Sequence, residues 1–493
     1  MPQHAGSDLA HSLVATYETE WTHRDTVLPH MIDYHLAHQV AAAAKGFVPR
    51  DMAAKLCEAL RGLRETKADD LPFDARLDGF HPCLEARIRK DFGADVAGWL
   101  NAGRARQEIE MVSRLMAARS ALLEGLESLC RYRAALLAAA AREAETVIPW
   151  QTWLQPAEVA TAGYIFEASA LAAADDFDRL FAGLGRANRS RADVGQIVPP
   201  PMAFDRSRVA EFLGMTEPDF GSSVRAYAAA DTECAIIGDL SVAAGNMARL
   251  SETLYLWCSA EFGLAQFSDA FTGTSHIMPQ KRNPYALRTV RPMFTRIAGR
   301  YQDALHLFAG SMPAIGNGVV HIPNRTIDCA TDFSLIGACM ADALATVTFN
   351  KDRGLEALKG SWCQAPQLVF TLVSEAGIPY RSAHTLAAAL VKSLGEQDRA
   401  PESMTPDDIA SAAEASIGET VTLSAESLRA VLGPRAIVES RSDGGPAPEA
   451  LRERLERAAK QLENDLAAMK EVQVRIETGR SDLEREVDAL IGG

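Results

Sequence analysis

The chain has 493 residues, of which 47% are hydrophobic and 23% charged, and its formal net charge is −15. This length allows two or three domains with substantial cores, and the acidic balance does not favour nonspecific binding to nucleic acid or to an anionic membrane. Uncharged apolar runs stay well below the roughly 18 residues of a membrane span, and the polar N-terminus lacks the pattern of a signal peptide. We therefore expect neither feature.

The eight cysteines are spread along the chain without a CxxC pair. Most lie in apolar helical contexts, where a free cysteine behaves as a small hydrophobic residue. This pattern is typical of a reducing cytosol rather than of a disulfide framework, so we predict a cytoplasmic protein. The sequence also lacks a glycine-rich nucleotide loop and a His/Cys/Asp cluster with metal-ligand spacing. We therefore predict no metal and no cofactor.

Residues 1–103 predict a small helical domain that follows a flexible N-terminal arm at 1–18. Alanines and apolar residues recur at helical spacing over 32–45, and Gly46 ends this helix. A second helix is expected from Pro49 to about residue 64. A polar loop at 69–78 leads into a third helix at 84–92.

Residues 104–359 predict a central bundle of long helices. Apolar positions recur at helical spacing over 104–145 with almost no breakers, which indicates a helix of about 40 residues. Further long helices are predicted at 158–182, 223–262, 284–307 and 324–350. We expect Gly183 and Gly185 to end the first of these, and Pro292 to kink the third. Because strand signals are scarce, the predicted fold class is all-α, with an elongated bundle. Helix faces that are apolar almost all round indicate assembly with other copies of the chain.

From residue 360 to 493 the predicted helices are shorter, which indicates a C-terminal helical domain. Helices are expected at 380–394 and 405–415, with Thr405 as the N-cap of the second. A Gly-Gly-Pro sequence at 444–446 interrupts the chain before a charged helix at about 449–471. The residues after 471 either extend this helix or leave it.

Residues 269–284, DAFTGTSHIMPQKRNP, depart from the helical pattern and carry many reactive groups. An internal glycine and proline predict a loop, for which an ordinary surface turn is the alternative. The Ser275 hydroxyl becomes a base only when its alkoxide is stabilised, and Lys281 and Asn283 offer a cation and an amide donor. These groups suit proton removal next to a carboxylate, since preorganised donors for the developing charge are worth roughly 3–4 kcal/mol each.

This loop resembles the signature of the fumarase/aspartase superfamily, Ser-x-x-Met-Pro-x-Lys-x-Asn-Pro, which residues 275–284 match. The resemblance covers most of the chain and is strongest to argininosuccinate lyases. The further segments that carry it lie at 78–85, 101–107, 152–155, 377–384 and 438–445. It implies an all-α, three-domain fumarase/aspartase-type fold. It also implies a homotetramer in which three subunits contribute to each active site.

The activity implied by the resemblance is anti elimination of an amine from a succinyl unit, which releases fumarate. By position, Ser275 is the base that takes the Cβ proton, while Lys281 and Asn283 hold the carboxylate that gathers charge. The substrate-binding positions are Arg106, Gln107, Thr152, Trp153, Thr274, His321 and Asn324. An arginine suits this role because its planar fork binds both carboxylate oxygens.

Departures from the family pattern fall on the proton-delivery side. Trp153 stands where the family has the histidine usually assigned as general acid, and an indole has no titratable proton to give. The leaving group must then be protonated by another residue or leave already protonated. His276, which replaces the second serine of the signature, is our catalytic candidate, and His321 and His81 are weaker ones. A purely structural role is the alternative for each histidine.

The substrate itself is also expected to differ. Aligned on Pro313, the chain has Gly316, His321 and Asn324 where argininosuccinate lyase offers Tyr, Gln and Lys to the arginine half of its substrate. A buried polar group left unpaired costs roughly 1–3 kcal/mol, so argininosuccinate is disfavoured.

We therefore predict a carbon–nitrogen lyase for another N-substituted aspartate, such as a compound of the ethylenediamine-disuccinate type. Three alternatives stay open. Residues 152–155 also resemble 3-carboxymuconate cycloisomerases, whose reaction needs no separate acid for an amine. The second alternative is an argininosuccinate lyase, and the third is an inactive structural homologue.

Overall fold

The computed structural model describes residues 22–492, except 65, 68–69, 72–76, 78, 196–197, 202–203, 217–221, 223–224, 226–228 and 311–320. The predicted arm at 1–18, most of the loop at 69–78 and Gly316 therefore lie outside the described residues. Within the described part, helices dominate and each sheet has two strands. The prediction of an all-α fold is confirmed.

The helices of the first half are α1 (Arg24–Ala44), α2 (Arg50–Leu63), α3 (Phe80–Phe92), α4 (Ala94–Ala97), α5 (Arg106–Arg142), α6 (Ala162–Ala187), α7 (Arg206–Phe212) and α8 (Ala230–Trp257). Those of the second half are α9 (Tyr285–Arg288), α10 (Val290–Ala309), α11 (Ile322–Thr346), α12 (Lys351–Leu358), α13 (Ala365–Glu375), α14 (Tyr380–Glu396), α15 (Pro406–Ile417), α16 (Ala425–Leu432), α17 (Pro434–Glu439) and α18 (Pro448–Gly492). The strands are β1 (Val147–Thr152), β2 (Gln155–Thr161), β3 (Ala265–Gln266), β4 (Gly273–Thr274), β5 (Arg282–Asn283) and β6 (Thr348–Phe349). They pair antiparallel as β1 with β2, β3 with β6, and β4 with β5.

The long helix predicted at 104–145 is α5, and its 37 residues span about 55 Å. It packs alongside α11, and the two helices run parallel. Near the starts of the two helices, the charge of Arg114 acts on His321 and lowers the pKa of that histidine. Further along, Ser128 Oγ donates a hydrogen bond of 2.6 Å to the Ser334 carbonyl oxygen. The beginnings of α5 and α11 therefore meet at one end of the bundle.

The predicted limits of the helix at 158–182 are wrong at both ends. Residues 147–161 form the β1–β2 hairpin, and α6 begins only at Ala162, where the Thr161 side chain accepts a hydrogen bond from the Tyr164 N–H. The helix also continues through Gly183 to Ala187. A Cβ at Gly183 would lie 2.9 Å from Ile236, so this glycine permits close helix packing rather than ending the helix.

The other central helices are confirmed with shifted limits. The kink expected at Pro292 is instead a break at Thr289, between α9 and α10. Pro292 then lies in the first turn of α10, where a helix needs no backbone N–H donor. The third helix of the chain begins at Phe80 rather than 84, since Pro82 is likewise accommodated in a first turn.

The C-terminal part has its own hydrophobic core, built from α13 to α16. The last helix leaves that core and packs on the main bundle through Leu451, Leu462 and Leu483. Of the two alternatives for the residues after 471, the structure has the extended helix. Buried Arg133 fixes this helix with an ion pair of 2.5 Å to Asp465. The predicted domain limits at 103 and 359 stay a prediction.

Several large apolar side chains of the central helices face outward. They are Leu171 on α6, Val242 and Tyr255 on α8, Leu305 and Phe308 on α10, and Leu335 on α11. None of the described helices is both long and apolar enough to cross a bilayer. In a subunit studied alone, these side chains leave an apolar surface on the bundle.

Candidate active site

Residues 269–284 form a compact loop, as predicted, rather than a helix. β4 pairs with β5 in the register Thr274 opposite Arg282, and Asn283 Nδ2 donates 3.2 Å to the Gly273 carbonyl oxygen. The register brings Ser275, which follows β4, next to Lys281, which precedes β5. A serine hydroxyl and an ammonium group thus share one side of the loop.

Gly273 is required in this loop because an aromatic ring packs directly on it. A Cβ at this position would lie 2.0 Å from Cε2 of Tyr285, which no side chain could tolerate without movement. The Tyr285 hydroxyl also donates a long hydrogen bond of 3.4 Å to the Thr274 carbonyl oxygen. The ring thereby fixes the backbone immediately before Ser275.

A cavity of about 300 Å³, here called the loop cavity, opens beside these strands. Its lining residues are Tyr255, Thr274, Ser275, His276, Lys281, Asn283, Pro284, Tyr285 and Arg288. The structure therefore brings together the five site residues predicted within the loop at 269–284. Ser275 and Asn283 are half-buried, whereas His276 and Lys281 are exposed. The chemistry available is a hydroxyl beside cations and an amide donor, which suits stabilisation of a carboxylate that gains charge.

Arg106, Gln107, His321 and Asn324 lie elsewhere, where α5 and α11 begin; we call them the helix-end group. The ammonium and hydroxyl of the loop cavity are far from it. The Ala286 carbonyl accepts a hydrogen bond of 3.0 Å from the Cys339 thiol, and Cys339 is about 25 Å along α11 from its start. The substrate-binding positions at the starts of α5 and α11 therefore do not reach the loop cavity of the same subunit.

Burial lowers the pKa values of two histidines outside the loop cavity, His321 and His81. Burial lowers the pKa of His321 to about 4, and the nearby charges of Arg114 and Arg325 act in the same direction. His81 is fully enclosed and its pKa is lowered to about 3, again chiefly by burial. Both rings are neutral at neutral pH. His276 is the histidine that lines the loop cavity.

Thr152 and Trp153 lie at a third place, the tip of the β1–β2 hairpin. Thr152 pairs with Gln155, so Trp153 and Leu154 form a two-residue turn, with φ of 56° and 60°. Trp153 is 97% exposed. The hairpin follows the far end of α5, opposite to Arg106, and its base packs on the C-terminal part through Ile437. The sequence-predicted residues thus fall into three separate groups on one subunit.

Four lining residues of the loop cavity were not predicted as site residues: Tyr255, Pro284, Tyr285 and Arg288. Arg288 belongs to the run of basic residues at 281–300. Its place in the cavity depends on the break at Thr289, which sequence reasoning placed at Pro292. The sequence shows the run of basic residues, but it does not distinguish Arg288 from arginines that are exposed to solvent.

Comparison with known proteins assigns the family. A family model described as Lyase matches residues 12–299, and one described as Argininosuccinate lyase C-terminal matches residues 362–439. The argininosuccinate lyase of Maricaulis maris is 30% identical over 426 residues, which cover 86% of this chain and 88% of that protein. The chain belongs to the fumarase/aspartase superfamily, in its argininosuccinate lyase-like branch.

A second argininosuccinate lyase and one solved structure support this placement. The argininosuccinate lyase of Methanocaldococcus jannaschii is 27% identical over 467 residues, 93% of this chain and 95% of that protein. The crystal structure of EDDS lyase in complex with formate is 25% identical, with a TM-score of 0.88 over 98% of this chain and 96% of that one. A 3-carboxy-cis,cis-muconate lactonizing enzyme from Pseudomonas putida has a TM-score of 0.68 at 18% identity, covering 93% of this chain and 98% of that one, and shares the fold alone. The resemblance stated from the sequence is confirmed, and this superfamily member is a lyase.

Proposed function

We propose that this lyase catalyses the reversible anti elimination of an amine from an N-substituted aspartate, with release of fumarate. The observation that carries the proposal is the loop cavity, in which Ser275, Lys281 and Asn283 meet. Fixed cations and donors around a serine hydroxyl have a clear use when a proton next to a carboxylate is removed. A purely structural helix bundle has no use for this set.

In the proposed reaction, the Ser275 alkoxide takes a proton from Cβ. The C–H electron pair passes into the adjacent carboxylate, whose extra charge Lys281 and Asn283 stabilise. The pair then forms the Cα–Cβ double bond as the C–N bond breaks, and the electrons of that bond leave with nitrogen. A substrate nitrogen that is already an ammonium leaves as a neutral amine. This path needs no separate acid, which fits Trp153 in place of the family histidine.

The proposed site is shared among subunits of a homotetramer. The loop cavity, the helix-end group and the hairpin tip are separated on one subunit, as described above. Trp153 and Leu154 hold positive φ values although neither is glycine, and such strained positions concentrate at functional sites. The outward apolar residues of the central helices provide the surface on which copies can pack. We expect each site to combine these three groups from different copies.

The proposed substrate is an aminocarboxylate other than argininosuccinate. EDDS lyase is one of the relatives that superpose well, and its solved structures include a variant with bound fumarate. His321 and Asn324 replace the polar residues that argininosuccinate lyase offers to its arginine half. Burial holds the His321 ring neutral and the Asn324 amide carries no charge, so these two side chains offer no charge to the amine.

The test is fumarate release, read by ultraviolet absorbance, over a panel of N-substituted aspartates, argininosuccinate and 3-carboxymuconate. We expect turnover of one or more N-substituted aspartates and loss of that turnover in Ser275→Ala. Ser268→Ala, an exposed serine outside the cavity, is the matched control and should keep full activity. Turnover of argininosuccinate alone would refute the proposed substrate. Lactone formation from 3-carboxymuconate would establish the second candidate, which Trp153 favours, and wild-type rates in Ser275→Ala would remove the proposed base.

A further inference from the structure

Arg106, which begins α5, lies in the chain between two residues that contact the same buried tyrosine. Arg104 comes two positions before it and Glu108 two positions after it. Tyr34 of α1 donates a hydrogen bond of 2.6 Å to Glu108 Oε1. The Cζ atom of Arg104 lies 4.8 Å from the centroid of the Tyr34 ring, in a cation–π contact. One side chain of α1 thus contacts the chain on both sides of Arg106.

The Tyr34 hydroxyl is fully enclosed and well supplied with hydrogen-bond partners. Tyr34, Glu108 and Asp193 are each at most 2% exposed. The hydroxyl accepts a hydrogen bond of 3.0 Å from the Asp193 backbone N–H and lies 3.1 Å from Asp193 Oδ1. Burial, followed by the negative charges of Asp193 and Glu108, raises the pKa of Tyr34 well above its ordinary value. The hydroxyl therefore keeps the proton that it donates to Glu108, and its removal would leave buried polar groups without this partner.

His38, one turn further along α1, adds a third point of attachment. Its Nε2 atom lies 3.0 Å from the Ala102 carbonyl oxygen, and its Nδ1 atom lies 2.9 Å from Asp193 Oδ1. α1 therefore holds the segment 102–108 at its first residue, at its third and at its last. This segment includes the entry to α5 and the first turn of that helix.

The exposure of the side chains separates a group that can touch a ligand from those that support it. Tyr34 and His38 have no exposed surface, so neither side chain can reach a substrate. Arg106 is partly exposed, and its Nε atom lies 3.6 Å from Glu110 Oε1. The direction of the Arg106 side chain depends on the backbone of the first turn of α5, which the contacts of Tyr34 fix.

We propose that Tyr34 is a positioning residue, which directs Arg106 towards a substrate carboxylate by holding the segment 102–108 against α1. This inference rests on the proposed function, in which Arg106 binds substrate. In that reaction Lys281 and Asn283 hold the carboxylate that gathers charge, so Arg106 binds the substrate and the transition state about equally. Loss of such uniform binding raises KM and leaves kcat unchanged.

The experiment uses Tyr34→Phe, which keeps the ring and removes only the hydroxyl. We expect KM for an N-substituted aspartate that the protein cleaves to rise about tenfold, with kcat within about twofold of wild type. Calorimetry on the full chain carrying Ser275→Ala should show the same loss of affinity for fumarate when Tyr34→Phe is added. In an Arg106→Gln background, Tyr34→Phe should add less than about twofold, because the side chain through which Tyr34 acts is already absent. Glu108→Gln should keep KM near the wild-type value, since its amide oxygen still accepts the hydroxyl proton.

The matched control is Tyr132→Phe, since Tyr132 is also a buried tyrosine but lies about 39 Å further along α5. It should leave KM and the affinity for fumarate unchanged. A second variant, Glu108→Ala, removes the acceptor of the Tyr34 hydroxyl and should reproduce the tenfold loss, which keeps the test decisive if Tyr34→Phe does not fold.

Wild-type KM and fumarate affinity in folded Tyr34→Phe would overturn the inference even if its unfolding free energy fell, because Tyr34 would then have only a structural role. The full tenfold loss in the Arg106→Gln background would also overturn it, because Tyr34 would then not act through Arg106. Fumarate binding that depends on Tyr34, by a wild-type protein that releases fumarate from no substrate, would refute the proposed function and leave this inference standing.

Discussion

Gly273→Ala tests whether the Tyr285 ring sets the geometry of the loop cavity. The added Cβ would lie 2.0 Å from Cε2 and 2.3 Å from Cδ2 of Tyr285, so one partner must move by roughly 1.5 Å to restore contact distance. Tyr285 is 40% exposed and its ring can turn outward, which limits the loss in unfolding free energy to about 1–3 kcal/mol. The movement disturbs the Thr274 backbone and the adjacent Ser275. A displacement of this size costs about 100-fold in rate, so we expect kcat/KM for fumarate release to fall by that factor.

A double-mutant cycle isolates the cause of that loss. In a Tyr285→Ala background the new methyl group meets no ring, so Gly273→Ala should add less than about threefold to the loss of that variant. Gly185→Ala is the control, because its Cβ would meet no heavy atom within 4 Å. We expect it to keep full activity and to gain about 0.5–1 kcal/mol in unfolding free energy, as alanine does in a helix. Independent, multiplicative effects of Gly273→Ala and Tyr285→Ala would refute the reasoning, as would full activity in a well-folded Gly273→Ala.

Two further predictions concern pH and assembly. Burial, followed by the negative charge of Asp193, raises the pKa of Glu108 to about 8 from its ordinary value of 4.5. The native state therefore binds this proton more tightly than the unfolded chain does. The contribution of the Glu108 proton to stability is full below pH 4.5 and is lost as the pH rises towards 8. Urea unfolding at pH 6 and pH 8 should show a smaller decline for Glu108→Gln than for wild type, and equal declines would contradict this assignment. Ser275→Ala should be inactive because it lacks the base, and Trp153→Ala should be strongly impaired because it lacks a proposed substrate contact. The subunit stability of Trp153→Ala should stay within about 0.5 kcal/mol of wild type because the side chain is exposed. Hybrid tetramers from equal amounts of the two should regain about one quarter of wild-type activity if loop and hairpin come from different copies, whereas no recovery would place both in one subunit.

Much of the architecture could be read from periodicity, and the failures have physical reasons. The helix at 104–145 was found because its apolar positions recur over many turns without breakers. The β1–β2 hairpin was missed because its turn is Trp153–Leu154 rather than an Asn-Gly type sequence. Positive φ values at such residues are imposed by the surrounding structure and leave no local signal. The end of the last helix stayed open in the sequence because its final stretch is charged and packs through few residues, among them Leu483 and Val487.

Some residues of the candidate site could likewise be predicted from the sequence, whereas others could not. A long motif identified Ser275, Lys281 and Asn283, and the structure brings them into one cavity. Arg288 could not be singled out, because the sequence does not reveal which arginines of the run are neutralised. Asp332, which pairs with two of them, lies on α11 rather than nearby in the chain. Only the fold separates these arginines from the one that faces the cavity.

Because the three groups are separate on one subunit, the substrate range of such a lyase can change without loss of the groups proposed for proton removal. The loop cavity contains what proton removal requires, and its residues are held together by the β4–β5 pair and by Tyr285 within one subunit. In the proposed site, the amine side depends on residues that the proton-removal step does not use, namely the hairpin tip and the helix-end group. Changes such as Trp153 can therefore alter the leaving group while the base and its stabilising groups stay intact. Exchange of Trp153 for histidine should accordingly change which amines leave, and should not restore a base that the loop already supplies.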